Sequence, residues 1–572
     1  VILMAVAAAL VALAAVLGMT AVLGLYGGRA ARTTSDFLVA SRGVGPWWNA
    51  SAISSEYLSA AAYLGTAGLV LAYGADMLWL PIGATAGYIL LLAFVTAPLR
   101  RSGAYTIADF AEWRLGSRTV RRIVTCCVCF IGWFYLLPQF QGAGVTLRVL
   151  TGAPVWAGWA VVVAVALVLV ASGGMRSITA VQAVQFWVKL VAVAVPAVAL
   201  LAMWRLDGGD DPAARSVPHF GHATRVHVRT ALTVTAPADT PVTVRGTVDG
   251  VHRSGEPLTL RKGSHRIGAD TNLAFPSGAT VPHHGRLPVQ KGDAWARPFG
   301  LGQEHALYGT YSTLLAVMLG TMGLPHILMR FYTNTSGRSA RRTAALVPGL
   351  LALFYVFPAL YGTLGRLYAP ELLTTGDLDA TILLLPQRMV PGLPGALLTG
   401  LVAAGAFAAF ISTSCGIVVA IAGTVSQSVR RYGGIAAFRA GVVFALAAPL
   451  AVLPKIGAQD AANLVTTALC VSACSLCPLL VLGIWWRGLT APGAGAGLLV
   501  GGGLAVAAGV VRLFYGPWSG WPAALLAHPA LVIAPASFAV MVAASLLTRR
   551  RVPRRADRAM AWLHLPEDLD NR

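Results

Sequence analysis

Charge is what this sequence has least of: across 572 residues only 11% are Asp, Glu, Lys or Arg, against about a quarter in an ordinary soluble domain. That shortage, with 56% hydrophobic residues and a mean hydropathy of +0.69, excludes a soluble multidomain protein of this length. Lysine is nearly missing, with only Lys189, Lys262, Lys291 and Lys455, so arginine carries the net charge of +21. Such a balance can mark nucleic-acid binding, but these arginines sit between apolar runs and form no phosphate-binding stripe. Cysteine is sparse too. All seven lie inside apolar segments, which excludes a disulfide framework, and the Cys474-x-x-Cys477 pair has no His or acidic neighbour to complete a metal site. Zinc, Ser-His-Asp and Cys-His patterns are absent from the spans, and so is a P-loop, leaving neither an enzyme nor an ATP-driven pump.

What is present is one apolar run after another, each long enough to cross a bilayer. Spans are expected near 2–27, 47–74, 78–98, 120–149, 154–173, 179–204, 304–323, 341–364, 393–428, 436–454, 462–486, 490–512 and 527–548, about thirteen in all. This describes an all-α polytopic membrane protein: transmembrane helices over 1–204 and 304–548, a long polar insert over 205–303, and a basic tail over 549–572. The odd count puts the termini on opposite sides of the bilayer.

With the N-terminus outside and the C-terminus inside, the cytoplasmic loops collect Arg29, Arg32, Arg42, Arg100, Arg101, Arg114, Arg118, Arg121, Arg122, Arg338, Arg341, Arg342, Arg430, Arg431 and the tail arginines from Arg549. That is about 24 basic residues in short loops inside against about five outside, as the positive-inside rule requires. The insert then lies outside. In it Val226, Val228, Leu232 and Val234, then Val242, Val244 and Val248, then Leu258 and Leu260 alternate with polar residues between turn-forming Asp-Thr-Pro and Asp-Gly elements. A small β-rich extracellular unit is predicted, either an ornament or a module for solute capture or partner binding.

Polar residues inside a membrane cost several kcal/mol unless paired or set in a wet cavity, so they are the candidates for a transport pathway. Two clusters stand out. One runs from Asn49 to Ser59 in the second span, with Ser54, Glu56 and Tyr57, followed by Gly65 and Gly68; a polar, glycine-flanked section of this kind suits a broken helix whose free carbonyls coordinate a cation. The other is Ala409-Phe410-Ile411-Ser412-Thr413-Ser414 in the ninth span. Hydroxyls in such helices commonly bond back to the preceding turn, but two oxygen-rich segments together suit a hard cation that wants about five oxygens.

The blocks Ser35–Arg42, Ser54–Gly68, Thr106-Ile107-Ala108-Asp109-Phe110, Gly173-Gly174-Met175-Arg176 and Gly323-Leu324-Pro325-His326-Ile327-Leu328-Met329-Arg330-Phe331 resemble the sodium:solute symporter family, and within it the acetate and monocarboxylate permease branch. The resemblance spans nearly the whole chain outside the insert. It implies a LeuT-type inverted repeat of five plus five helices over spans two to eleven. It also implies Na+ as coupling ion, with no other cofactor, bound by carbonyls of Ala50, Ile53 and Ala409 and hydroxyls of Ser412 and Thr413. By the same resemblance, Gln139 and Gln141 beside Gly142-Ala143-Gly144 belong to an element of acetate permeases.

Gln139 is expected to line the pathway or to make an interhelical hydrogen bond. Tyr57 could orient a carboxylate or simply pack, and Glu56 could carry a coupled proton or sit hydrogen-bonded beside the break. Lys189, the one lysine within a span, is expected to snorkel to the cytoplasmic interface, although a buried cation would suit an anionic solute. The expected activity is symport of a small monocarboxylate such as acetate, propionate or pyruvate with Na+, H+ remaining open, across a bacterial cytoplasmic membrane. The alternatives are another small solute or a transporter-like sensory module. The tail after Thr548 is too short to hold a signalling domain. Lipid and solute are the expected partners, and the oligomeric state is left open.

Overall fold

The computed structural model describes residues 2–29, 33–214, 217–299, 305–428, 434–456, 461–515 and 519–565. Among the loop arginines named above, Arg32, Arg430 and Arg431 lie outside these ranges, as do parts of the insert and tail. Eleven helices among the described residues are long and apolar enough to cross a membrane. Two mergers account for the difference from about thirteen. The helix Val155–Leu206 has 52 residues, about 78 Å of rise where a bilayer core needs about 30 Å. Its dihedrals leave helical space at Gly174 (φ 53°, ψ −139°), where the chain turns back and joins two spans end to end. A Cβ at Gly174 would lie 2.5 Å from the Phe37 carbonyl oxygen, so both the positive φ and the close approach require glycine. The second merger comes from a helix that breaks.

That helix starts at Pro46, a residue suited to a first helical position, and runs to Tyr57. Leu58 then leaves helical geometry (φ −73°, ψ 76°). The chain resumes through one π turn, Ala61–Gly65, into Thr66–Tyr73. A second break follows the same plan. Ala306–Gly323 ends at Leu324 (φ −63°, ψ 116°), and Pro325 opens the short helix Pro325–Tyr332. Each set of five spans, the first from Pro46 and the second from Ala306, therefore opens on a broken helix. Gly392–Ser428, rich in Ala, Gly and Ser, lies wholly buried against these elements along its most apolar stretch.

The insert folds into seven strands: β1 Thr224–Val228, β2 Leu232–Ala236, β3 Thr240–Val248, β4 Val251–Leu260, β5 Gly263–Ile267, β6 Thr271–Phe275 and β7 His283–His284. Their order is β1-β6-β3-β5-β2-β7, with β4 on β3, and every pairing is antiparallel. Alternation decides which face is buried: Val226, Val228, Val234, Val242, Val244, Val248 and Leu260 point inward, while Leu232 and Leu258 are half-buried. Asp249 and Gly250 take positive φ (50° and 80°) in the two-residue turn between β3 and β4, the geometry a twisted hairpin prefers. After the sheet the chain returns to the helices. The Trp295 indole donates to the carbonyls of Val70 (2.9 Å) and Leu71 (3.1 Å) at the end of the first broken helix.

On the opposite side arginines hold the helix ends. Arg100 donates to the carbonyls of Asn334 (2.6 Å) and Thr335 (2.9 Å), and Arg114 to that of Gly483 (2.9 Å). Arg121 pairs with both Asp109 and Glu112, and Arg176 with Asp36 (2.6 Å). A planar fork with several donors does this better than a lysine. The Thr106-to-Asp109 motif is a capping box. The Thr106 hydroxyl accepts from the Asp109 amide (3.2 Å) and the Asp109 carboxylate from the Thr106 amide (3.0 Å).

Candidate functional site

The break at Leu58 frees backbone groups in the middle of the membrane, where each must find a partner. The Ala60 amide donates to Gln139 Oε1 (2.9 Å), while Gln139 Nε2 donates to the Tyr135 carbonyl (3.1 Å). Gln139 is fully buried and ties its own helix to the restart of the broken one. Gln141, two residues on, is half-buried, and its carbonyl oxygen has no partner among the described residues.

The carbonyls on the other side of the break are met by Gly392–Ser428. The Thr413 hydroxyl donates to the Glu56 carbonyl (2.7 Å), and the Ser412 hydroxyl lies 3.1 Å from the carbonyls of both Ser55 and Ala409. Ala50, Ile53, Ala409, Ser412 and Thr413 are all fully buried. Ser54, also buried, has a hydroxyl without a partner among the described residues. The two oxygen-rich segments, more than 350 residues apart in the chain, thus meet at one place.

Two basic side chains share that place, and the sequence alone set neither of them there. Lys189 is fully buried, and its ammonium donates to the Ser55 carbonyl, the Ser412 hydroxyl and the Leu58 carbonyl (3.1 Å for the last). The expected snorkelling fails on distance. The helix that carries Lys189 resumes just after Gly174, so the lysine stands about 20 Å along it, beyond the reach of one side chain to an interface. The second basic side chain is Arg330, whose Nε donates to Glu56 Oε2 (2.7 Å) and whose Nη1 donates to the Thr179 hydroxyl (2.8 Å). Both partners of that ion pair are buried. The single intramembrane lysine and the arginine after a helix-breaking proline were the available signals, but neither names its partner.

Beside the break lies a cavity lined by Tyr57, Ser59, Thr66, Tyr135, Tyr355 and Thr466, among others. The Tyr57 hydroxyl bonds with that of Thr321 (3.0 Å) on the second broken helix, and its ring meets the edge of Tyr88 at 5.3 Å. Ser59 adjoins Leu58, whose carbonyl holds Lys189, so the cavity begins where the cation cluster ends. Two basic side chains, Lys189 and Arg330, and one carboxylate, Glu56, gather in this cluster.

Residues 37–215 and 293–501 match the model of the Sodium:solute symporter family, and the interruption holds all seven strands. An uncharacterized symporter of Cupriavidus necator is 30% identical over 92% of this chain and 90% of its own length. Another, from Bacillus subtilis, is 26% identical over 85% and 83%. Among solved structures, a Na+-coupled sialic acid symporter in a substrate-bound outward-open state superposes with a TM-score of 0.61 at 13% identity, covering 95% of this chain and 98% of that one. Mhp1, a nucleobase-cation-symport-1 family transporter in a closed conformation with bromovinylhydantoin bound, gives 0.51 at 13% identity over 93% and 99%. The architecture is the LeuT-type fold of these transporters, and the five-plus-five reading agrees with a broken helix at the head of each set.

Proposed function

The chain belongs to the sodium:solute symporter family, and on that premise we propose that it imports a small monocarboxylate of the acetate, propionate or pyruvate class in symport with Na+. Na+ is the coupling ion of the family. The observation that carries the choice of an anion is that two basic side chains, Lys189 and Arg330, gather with one carboxylate, Glu56, beside a cavity lined in part by hydroxyls. A short carboxylate brings a second acidic group to match the second basic one, and Tyr57 and Ser59 offer hydroxyls to orient it.

Ala50, Ile53 and Ala409 supply carbonyls to the cation in this reading, and Ser412 and Thr413 supply hydroxyls. The N-terminus and the insert face outward and the arginine-bearing loops face the cytoplasm. Cation and solute both favour the occluded state, so each raises the other's affinity and the ion gradient drives accumulation.

Labelled acetate, propionate and pyruvate should accumulate in proteoliposomes under an inward Na+ gradient, and unlabelled members of the series should compete. Equal accumulation with choline in place of Na+ would remove sodium from the scheme. Competition only by an uncharged solute would remove the carboxylate. The pair Ser412→Ala and Thr413→Ala should raise half-saturating Na+ by about tenfold, the effect of roughly 1.4 kcal/mol of lost coordination. An unchanged Na+ dependence in the double variant argues against both hydroxyls as ligands.

A further inference from the structure

The oxygens that face the break form a cradle for one monovalent cation, and the chain already reaches into it. A lysine ammonium has three N–H donors and no acceptor. At Lys189 all three are matched: the Ser55 carbonyl, the Leu58 carbonyl and the Ser412 hydroxyl. The Ser412 hydroxyl can accept from Lys189 and still donate its own hydrogen to the Ala409 carbonyl (3.1 Å). Carbonyl and hydroxyl oxygens are also what a hard metal cation takes. The donor set therefore fits Na+ only with the ammonium gone, because two unit positive charges a few ångströms apart in a dry site repel strongly.

We infer that Lys189 is a tethered competitor for Na+: its ammonium occupies the cation cradle in this conformation and must withdraw before Na+ enters. This rests on the reading of Ser412 as a ligand of the cation site, the one of the five ligands proposed above that the ammonium touches. It goes further in giving the site an occupant from the chain itself, and in setting the Na+ affinity through that occupant. Lys189 lies on Val155–Leu206, its acceptors on the broken helix and on Gly392–Ser428. The ammonium therefore ties three elements together at one point. Na+ would hold the broken helix to Gly392–Ser428 without the ammonium's tie to the long helix, which stays joined to Gly392–Ser428 through Gln182, whose Nε2 donates to the Ser412 carbonyl (2.5 Å). Cation exchange at this spot thereby removes the lysine's link between the long helix and the broken one.

The test measures Na+ binding directly and needs no organic solute. Binding of 22Na+ to the purified full-length protein is followed against unlabelled NaCl at constant ionic strength set with choline chloride, for wild type, Lys189→Met and Lys189→Gln. The glutamine variant keeps a donor without the charge and guards against a fold that tolerates no apolar residue here; melting temperature and monodispersity report folding for all three. Both variants should bind Na+ with half-saturation at least about tenfold below wild type. Wild type with no measurable binding, alongside variants that bind, supports the inference equally. Identical half-saturation in all three proteins overturns it, and so does loss of binding in folded variants. Failure of the monocarboxylate reading shows only in the uptake assay and leaves this result standing.

Discussion

Arg330→Met should lower stability by about 3–5 kcal/mol and abolish transport, because it leaves the Glu56 carboxylate buried without its ion-pair partner. A buried pair adds little relative to well-packed apolar residues, whereas one orphaned member is expensive. Arg330 also donates to Thr179, which itself bonds the Met175 carbonyl (2.6 Å) just past the turn at Gly174. Its own carbonyl accepts from the Asn49 side chain (2.9 Å). The guanidinium thus links the second broken helix to the first and to the long helix. Glu56→Gln in the Arg330→Met background removes the stranded charge, so the double variant should regain much of the lost stability and none of the transport. Thermal unfolding in detergent, read beside uptake, separates the two effects. A double variant no more stable than Arg330→Met would show that the stranded charge is not the source of the loss, and an Arg330→Met protein that melts like wild type would show the pair to be inert.

The ion pair also marks how far one sequence can be read. Spans follow from hydropathy because the bilayer imposes one length on every apolar run. The break at Leu58 was announced by polar residues and glycines within ten positions of it, and the strands of the insert by alternation in Val226–Val234 and Val242–Val248. Each of those signals is local. Glu56 and Arg330 are 274 residues apart, and nothing near either residue specifies the other. Lys189 failed for a related reason: its fate depends on oxygens of two other helices and on the turn at Gly174, which sets its depth in the membrane. Gln139 had two open roles at the sequence level. Its bond to the Ala60 amide appears only once the helix that carries Ala60 is known to break there.

Gly416→Ala is the second large effect expected, and it acts through the same carboxylate. A Cβ at position 416 would lie 1.8 Å from Glu56 Oε1 and 2.1 Å from its carboxyl carbon, where ordinary contact begins at 3.4 Å. A flexible side chain would swing aside. Glu56 does not have that freedom, since its other oxygen is held by Arg330 at 2.7 Å and its backbone carbonyl by Thr413 at 2.7 Å. Either the ion pair opens or Gly392–Ser428 backs away from the broken helix, which pulls Ser412 and Thr413 off the carbonyls they meet. Overpacking alone costs about 1–3 kcal/mol, and opening the pair raises the cost toward that of Arg330→Met. Gly349→Ala, on an exposed helix face with nothing within 4 Å of the new Cβ, should be neutral or slightly stabilising and serves as the control. Coupling decides the mechanism. If Gly416→Ala works by driving Glu56 off Arg330, adding it to Arg330→Met should cost little more than Arg330→Met alone, so the two losses should fall well short of additive. Full additivity in a double-mutant cycle of melting free energies would place the damage elsewhere, in the packing of the two helices and not in the ion pair.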